Sequence, residues 1–273
     1  MLFTRSRTSR SGLSRLSVAA RNAASSCTET ATFHPEIPLL PVSSPDWDAQ
    51  VERLLRDEFL RAKYDRCRRL AEKWAYLHEY LPEIIESPVR GATVIDIGPG
   101  PGEFLECCRS LGYDVRGVDA AAGEGGMGDA YLELSRLLTQ RQGIPVDYCG
   151  LTGWLDRGTE VFAEGSVALI NSQGSIEQAC SHMMAGEPHH EHHDCRRLKW
   201  RTGSELQAFF NKVMSVWKSW LLPGGIIFLY ANGAENTRAY AKAIERAAQD
   251  VGDLELVLRR KRIHKWKKKG ASS

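Results

Sequence analysis

Residues 93–104 read TVIDIGPGPGEF: an apolar, β-rich run, an acid, a loop of alternating glycines, then the start of a helix. This order predicts a buried strand that turns sharply into a helix. Glycine lets a backbone turn tightly and come close to a ligand. In open α/β sheets ligands sit at the carboxyl ends of the strands, where this loop falls. The loop is GxGxG. Glu103 stands where the dinucleotide fingerprint GxGxxG needs its third glycine, so that fingerprint fails here. Gly123, Gly125 and Gly128 do satisfy it, but they follow the second strand and read as a chance match.

The rest of the chain supplies the sheet this loop needs. Strands are expected over residues 92–97, 115–118, 144–148, 167–170 and 226–230, with a last one at 254–258. Helices are expected over 103–110, 130–140, 206–221 and 237–251, with another starting near Ser175. Strands alternating with helices predict an α/β fold: a Rossmann-like, doubly wound, mostly parallel sheet with helices on both faces. Before it, Ser44-Pro45-Asp46 is a helix start. Apolar residues from Val51 to Leu81 then recur at helical spacing, as one long helix or two broken near residue 64. The organisation expected is a basic tail and linker at 1–45, a helical cap at 46–90, an α/β domain at 91–258 and a basic strand extension or tail at 259–273.

Asp96 lies two residues before the first glycine, and Asp119 closes the second strand, 21 residues after Gly98. A carboxylate in that position suits hydrogen bonds from ribose hydroxyls. This pair resembles the first two motifs of the class I (Rossmann-like) S-adenosylmethionine-dependent methyltransferases. Residues 167–178 (VALINSQGSIEQ) resemble their fourth-strand motif, and residues 221–230 (LLPGGIIFLY) resemble the turn before their fifth strand. The resemblance covers residues 91–232. It implies S-adenosylmethionine as cofactor. Asp96 and the backbone of Gly98, Gly100 and Gly102 would meet its methionine part, Asp119 its ribose, and Asn171 would lie beside the reactive methyl. Three departures stand out. The end of the third strand reads Asp147-Tyr148-Cys149-Gly150, which leaves the adenine contact open. The family's usual Glu-His after the fourth strand is Glu177-Gln178. One strand, running on to about Lys265, follows the last helix where the family has a hairpin.

Transfer of a methyl group needs a base only where the acceptor must lose a proton. Glu177, His182, His189, His190, His192 and His193 gather after the fourth strand, with Glu191, Asp194 and Cys195 among them. Three readings stand: a solvated loop, a substrate-side base, or a metal set whose spacing matches no standard zinc finger. Residues 122–128 read as a surface turn or a loop closing over the site. Tyr64 and His78 are candidate lid residues on the helical cap, and Trp74 is core.

The net charge of +2 conceals an uneven distribution. Residues 1–28 carry five Arg and no acid, and residues 259–273 carry eight Lys or Arg and no acid, which leaves 29–258 at about −11. An acidic body favours a small-molecule substrate over a nucleic acid. Residues 171–174 are Asn-Ser-Gln-Gly and not the Asn-Pro-Pro-aromatic motif of amino-methylating DNA enzymes. A small-molecule O- or N-methyltransferase is the leading expectation, with an RNA or other nucleic-acid methyltransferase and a non-catalytic cofactor-binding partner as alternatives. No apolar run is long enough for a membrane span. The Arg- and Ser-rich start resembles a transit peptide, so the expected location is cytoplasmic or mitochondrial. Seven cysteines without a CxxC pair fit a reducing compartment.

Overall fold

The computed structural model describes residues 45–67, 70–119, 129–176, 203–230, 237–260 and 262–270. Among the described residues four short helices come first: α1 (Pro45–Leu54), α2 (Glu58–Cys67), α3 (Leu70–Tyr80) and α4 (Pro82–Glu86). The alternating part follows as β1 (Thr93–Ile97), α5 (Glu103–Ser110), β2 (Asp114–Val118), α6 (Asp129–Arg141), β3 (Val146–Asp147) and α7 (Gly150–Arg157). It continues as β4 (Val167–Gln173), α8 (Gly203–Trp220), β5 (Leu221–Tyr230), α9 (Thr237–Val251), β6 (Leu254–Arg260) and β7 (Ile263–Lys268). The described strands form one sheet in the order β3-β2-β1-β4-β5-β7-β6. All neighbours are parallel except β7, which is antiparallel to both β5 and β6.

The sheet separates two apolar cores. Ile95, Ile97, Ile170, Ile227, Leu229 and Trp266 face α7, α8 and α9, where Trp154, Phe210, Val213, Trp217 and Trp220 are fully buried. Val94, Leu169, Ile226, Phe228 and Ile263 face α3, α4 and α5, where Trp74, Leu77, Leu81 and Phe104 are buried. Both faces are covered, as a parallel sheet requires, and this is the doubly wound α/β architecture expected.

Three local expectations change. The cap helix breaks at Leu55–Asp57, nine residues before the expected point. Asp57 Oδ1 accepts the amide of Leu60 at 2.9 Å and so starts a new helix. Pro223-Gly224-Gly225 does turn the chain, but paired strand lies on both sides of the turn. The register jumps from Val167↔Leu221 to Leu169↔Ile226, so the four residues between Leu221 and Ile226 bulge out of the strand. The single strand expected to reach Lys265 is instead a hairpin. The chain reverses after Arg260, and β7 inserts between β5 and β6.

That hairpin absorbs much of the basic run. Arg259 pairs with Glu245 at 2.8 Å, and Lys268 Nζ donates to the carbonyls of Lys218 and Leu221 at 2.9 and 2.6 Å. Lys265 is buried. Its ammonium donates to the Tyr80 carbonyl at 3.0 Å and to both Glu83 oxygens at 2.7 and 2.9 Å. This contact fastens α3 and α4 to the sheet. The Glu83 side chain is 41% exposed, so the pair is partly screened. Glu83→Ala should still cost about 1–2 kcal/mol, below the 3–5 kcal/mol of a fully buried pair, because it strands a buried ammonium. Adding Lys265→Met should recover part of that loss. Urea unfolding of the two variants and wild type checks this, and a double variant no better than Glu83→Ala would contradict it.

Candidate functional site

The strand order reverses between β1 and β4, with β2 on one side of β1 and β4 on the other. Ligand clefts of open α/β sheets open at such a point. Here β1 ends in Asp96-Ile97 and passes into the glycine loop. Gly98 has φ +68°, and its amide donates to the Val118 carbonyl at 2.8 Å, which ties the loop to β2. A Cβ on Gly98 would fall on the Ser175 hydroxyl, and one on Gly100 would lie 2.9 Å from the Tyr131 hydroxyl. Gly102, φ +90°, caps α5, and a Cβ there would meet Ile144 Cδ1 at 2.8 Å. These three glycines therefore also make room for the protein's own β4 link, α6 and β3 lead-in.

Asp96 is 4% exposed and registers with Gly117 on β2 and Asn171 on β4. Asn171 Nδ2 donates to Asp96 Oδ1 at 2.7 Å. Burial raises the Asp96 carboxyl to about 7; the Asn171 hydrogen bond and the Lys73 charge oppose the rise, while Glu103 and Asp119 add to it. From α3, the Tyr76 hydroxyl donates to Asn171 Oδ1 at 3.0 Å, and Lys73 Nζ donates to Gln173 Oε1 at 3.4 Å. Burial, then the Asp96 charge, holds the Tyr76 phenol well above its usual range. Asp119 sits half-buried at the end of β2. Its amide donates to the Asp147 carbonyl, and its own carbonyl accepts from Gly150.

The sheet order, the antiparallel seventh strand and the acid-flanked glycine loop now stand together. The chain has a Rossmann-like, doubly wound α/β fold with one antiparallel strand beside β5. No protein-family model matches it. A curated relative, the ubiquinone biosynthesis O-methyltransferase of Paramagnetospirillum magneticum, is 35% identical over 66 residues, which is 24% of each chain. The chain thus matches about a quarter of the length of that relative. Among solved structures, a Methanococcus maripaludis protein described as an S-adenosyl-L-methionine-dependent methyltransferase aligns over 79% of this chain and 94% of its own, at 13% identity and a TM-score of 0.45. A SAM-dependent methyltransferase of Archaeoglobus fulgidus aligns over 67% and 69%, at 16% identity and a TM-score of 0.38.

Within this fold, Asp96, Gly98, Gly100, Gly102, Asp119 and Asn171 all lie at the carboxyl ends of β1, β2 and β4 or in the loop that follows β1. Glu177, His182, His189, His190, His192 and His193 lie outside the described residues, as does the 122–128 loop. Among the described residues no group of three His, Cys, Asp or Glu could hold a metal. The acid that ends β3 has other partners. Asp147 Oδ2 accepts from Arg116 and from Trp154 Nε1, both at 2.8 Å. Tyr148 is joined to Thr139 at 3.0 Å, and burial pushes its phenol up to about 12.

Tyr64 packs against the small core of Val51, Leu54, Leu60 and Leu134. The His78 ring is partly buried, and its Nε2 has no hydrogen-bond partner among the described residues. The residues that do reach the site from the cap are Lys73 and Tyr76. A signal for them exists: Lys73, Tyr76 and Tyr80 follow at i, i+3 and i+7, a second stripe beside the apolar one of Trp74, Leu77 and Leu81.

Proposed function

We propose that the chain is an S-adenosylmethionine-dependent methyltransferase acting on an O or N nucleophile of a small molecule. The observation that carries this reading is the charge arrangement beside the glycine loop. A buried carboxylate, Asp96, lies near the Lys73 ammonium, and Asp119 directly follows the next strand. A zwitterionic amino-acid group joined to a ribose asks for these three charges: an anion for its ammonium, a cation for its carboxylate, and an acceptor for its hydroxyls. The buried Asp96 is poorly stabilised by the residues around it, which suits a site completed by a cationic ligand.

When bound, the cofactor supplies an electrophilic methyl on a sulfonium. The chain's own part is binding and alignment, since displacement rates depend strongly on holding two reactants in line. Asp96 and Lys73 would orient the amino-acid end, and Asp119 would hold the ribose. The O-methyltransferase relative supports an oxygen acceptor. The acidic body, and the acids and carbonyls that occupy Arg259, Lys265 and Lys268, support a small molecule over a nucleic acid. Among the described residues no helix is long and apolar enough to cross a membrane.

Isothermal titration with S-adenosylmethionine tests the cofactor. A labelled-methyl screen of phenolic and amine metabolites, with RNA alongside, tests the substrate class. Asp119→Ala should weaken cofactor binding by about 1.5–3 kcal/mol, the scale of hydrogen bonds to a charged acceptor, or roughly 10- to 150-fold. Wild-type affinity in that variant would place the ribose elsewhere. Label entering RNA and no small molecule would replace the substrate reading.

A further inference from the structure

The inference rests on the cofactor reading of Asp96 and concerns a side chain from the cap. Tyr76, Asn171 and Asp96 form a chain of two hydrogen bonds, 3.0 and 2.7 Å long, running from α3 across β4 to β1. The geometry sets its direction: the Tyr76 hydroxyl points its donor at Asn171 Oδ1, and Asn171 Nδ2 points at Asp96 Oδ1. A buried phenol beside a carboxylate keeps the proton this donation needs. Asn171 Oδ1 must then be the acceptor, and the Asn171 NH2 must face Asp96. An amide has two nearly isosteric orientations, and its partners choose between them. With its NH2 toward Asp96 it favours the carboxylate; with its oxygen toward Asp96 it favours the neutral acid.

We propose that Tyr76 is a positioning residue that locks the Asn171 amide in the orientation favouring ionised Asp96, and so readies the site for a cationic ligand. The groups facing Asp96 are Lys73 and Tyr76 on α3, Asn171 on β4, Glu103 and Cys108 on α5, and Asp119 after β2. Glu103 and Asp119 oppose ionisation of Asp96, while Lys73 and Asn171 support it. Removing the Tyr76 hydroxyl frees Asn171 to turn over and join the opposing side.

Tyr76→Phe is a mild change. The ring keeps its edge contacts with Phe104 and Phe228, at centroid distances of 6.0 and 5.5 Å. Two measurements on the full chain test the proposal. The first is carbon NMR of the Asp96 carboxyl, assigned with Asp96→Asn, in wild type and in Tyr76→Phe without ligand. The variant should titrate at least half a pH unit higher. The second is calorimetric titration with S-adenosylmethionine from pH 5.5 to 7.5. The variant should bind at least threefold more weakly at pH 6 and recover toward wild type at pH 7.5. An Asp96 titration that Tyr76→Phe leaves in place overturns the relay, and so does a loss of affinity equal at every pH, the mark of a structural role. A shifted titration in a chain that binds no S-adenosylmethionine sinks the cofactor reading and this role with it, but leaves the hydrogen-bond relay standing.

Discussion

Gly98→Val is expected to abolish cofactor binding and to lower the melting temperature by roughly 5–15 °C. Two effects add. The backbone at Gly98 is left-handed, φ +68°, and a residue with a Cβ is strained there by about 1–2 kcal/mol, a β-branched one more. The new Cβ would also stand on the Ser175 hydroxyl and 2.5 Å from Ser175 Cβ. Ser175 cannot retreat cheaply. Gly174 donates its amide to the Tyr230 carbonyl at 2.7 Å, and Ile176 donates to Ser172 Oγ at 3.1 Å, so the link after β4 is held at both sides. Overpacking of this kind costs about 1–3 kcal/mol, and each kcal/mol moves the midpoint by about 2–4 °C in a chain of this size. Gly165→Val is the control. Gly165 has the same φ of +68°, but nothing lies within 4 Å of its added Cβ, so it carries the backbone strain alone. Differential scanning calorimetry should separate the two. Equal melting temperatures would mean that the Ser175 contact relaxes freely.

Asp96→Asn should weaken S-adenosylmethionine binding by about 2–5 kcal/mol at pH 7.5 and remove most of its pH dependence below that. A buried carboxylate opposite an ammonium is a charge pair that loses this much when one partner is truncated. The sign of the pH effect follows from the raised Asp96 carboxyl. Burial holds it at about 7 against an ordinary 3.8, so the unliganded fold prefers the neutral acid. Its contribution to stability is fully present below about pH 4 and is lost as pH rises through 7. Binding of a cationic group runs the other way and favours the carboxylate. Affinity in the wild type should therefore rise with pH, by roughly tenfold from pH 6 to its plateau, and fall again above about 8 as the ligand's own α-ammonium loses its proton. Calorimetry across this range, in buffers of differing ionisation enthalpy, should also find proton release on binding near pH 6.5. A wild-type affinity flat from pH 5.5 to 7.5 would remove Asp96 from the ammonium.

The local elements were legible because they are short-range. The apolar run, the glycines and the helix start of residues 93–104 are all written within a dozen positions, and they placed β1, the loop and α5. Helices α8 and α9 were likewise readable from their spacing of apolar residues. The break in the cap was misplaced because a single acid, Asp57, decided it against a continuous apolar stripe.

From the sequence alone came the fold class and the order of its strands and helices, each dictated by neighbours along the chain. The tertiary structure decided which residues share a row across the sheet. Asp96, Asn171, Phe228 and Lys265 stand opposite one another on β1, β4, β5 and β7 and turn one face toward α3 and α4. Asn171 takes the Tyr76 hydroxyl, Phe228 takes the rings of Tyr76 and Tyr80, and Lys265 takes Glu83 and the Tyr80 carbonyl. Read along the chain, RIHKWKK is a basic tail and Tyr76 one aromatic among several. Lys265 becomes an interior residue because Glu83, 182 positions away, supplies its counter-charge. Tyr76 is tied to the sheet because Asn171, 95 positions away, accepts its hydrogen bond. No local period encodes such pairings; they exist once burial has closed the sheet against the cap and left each polar group to find its partner.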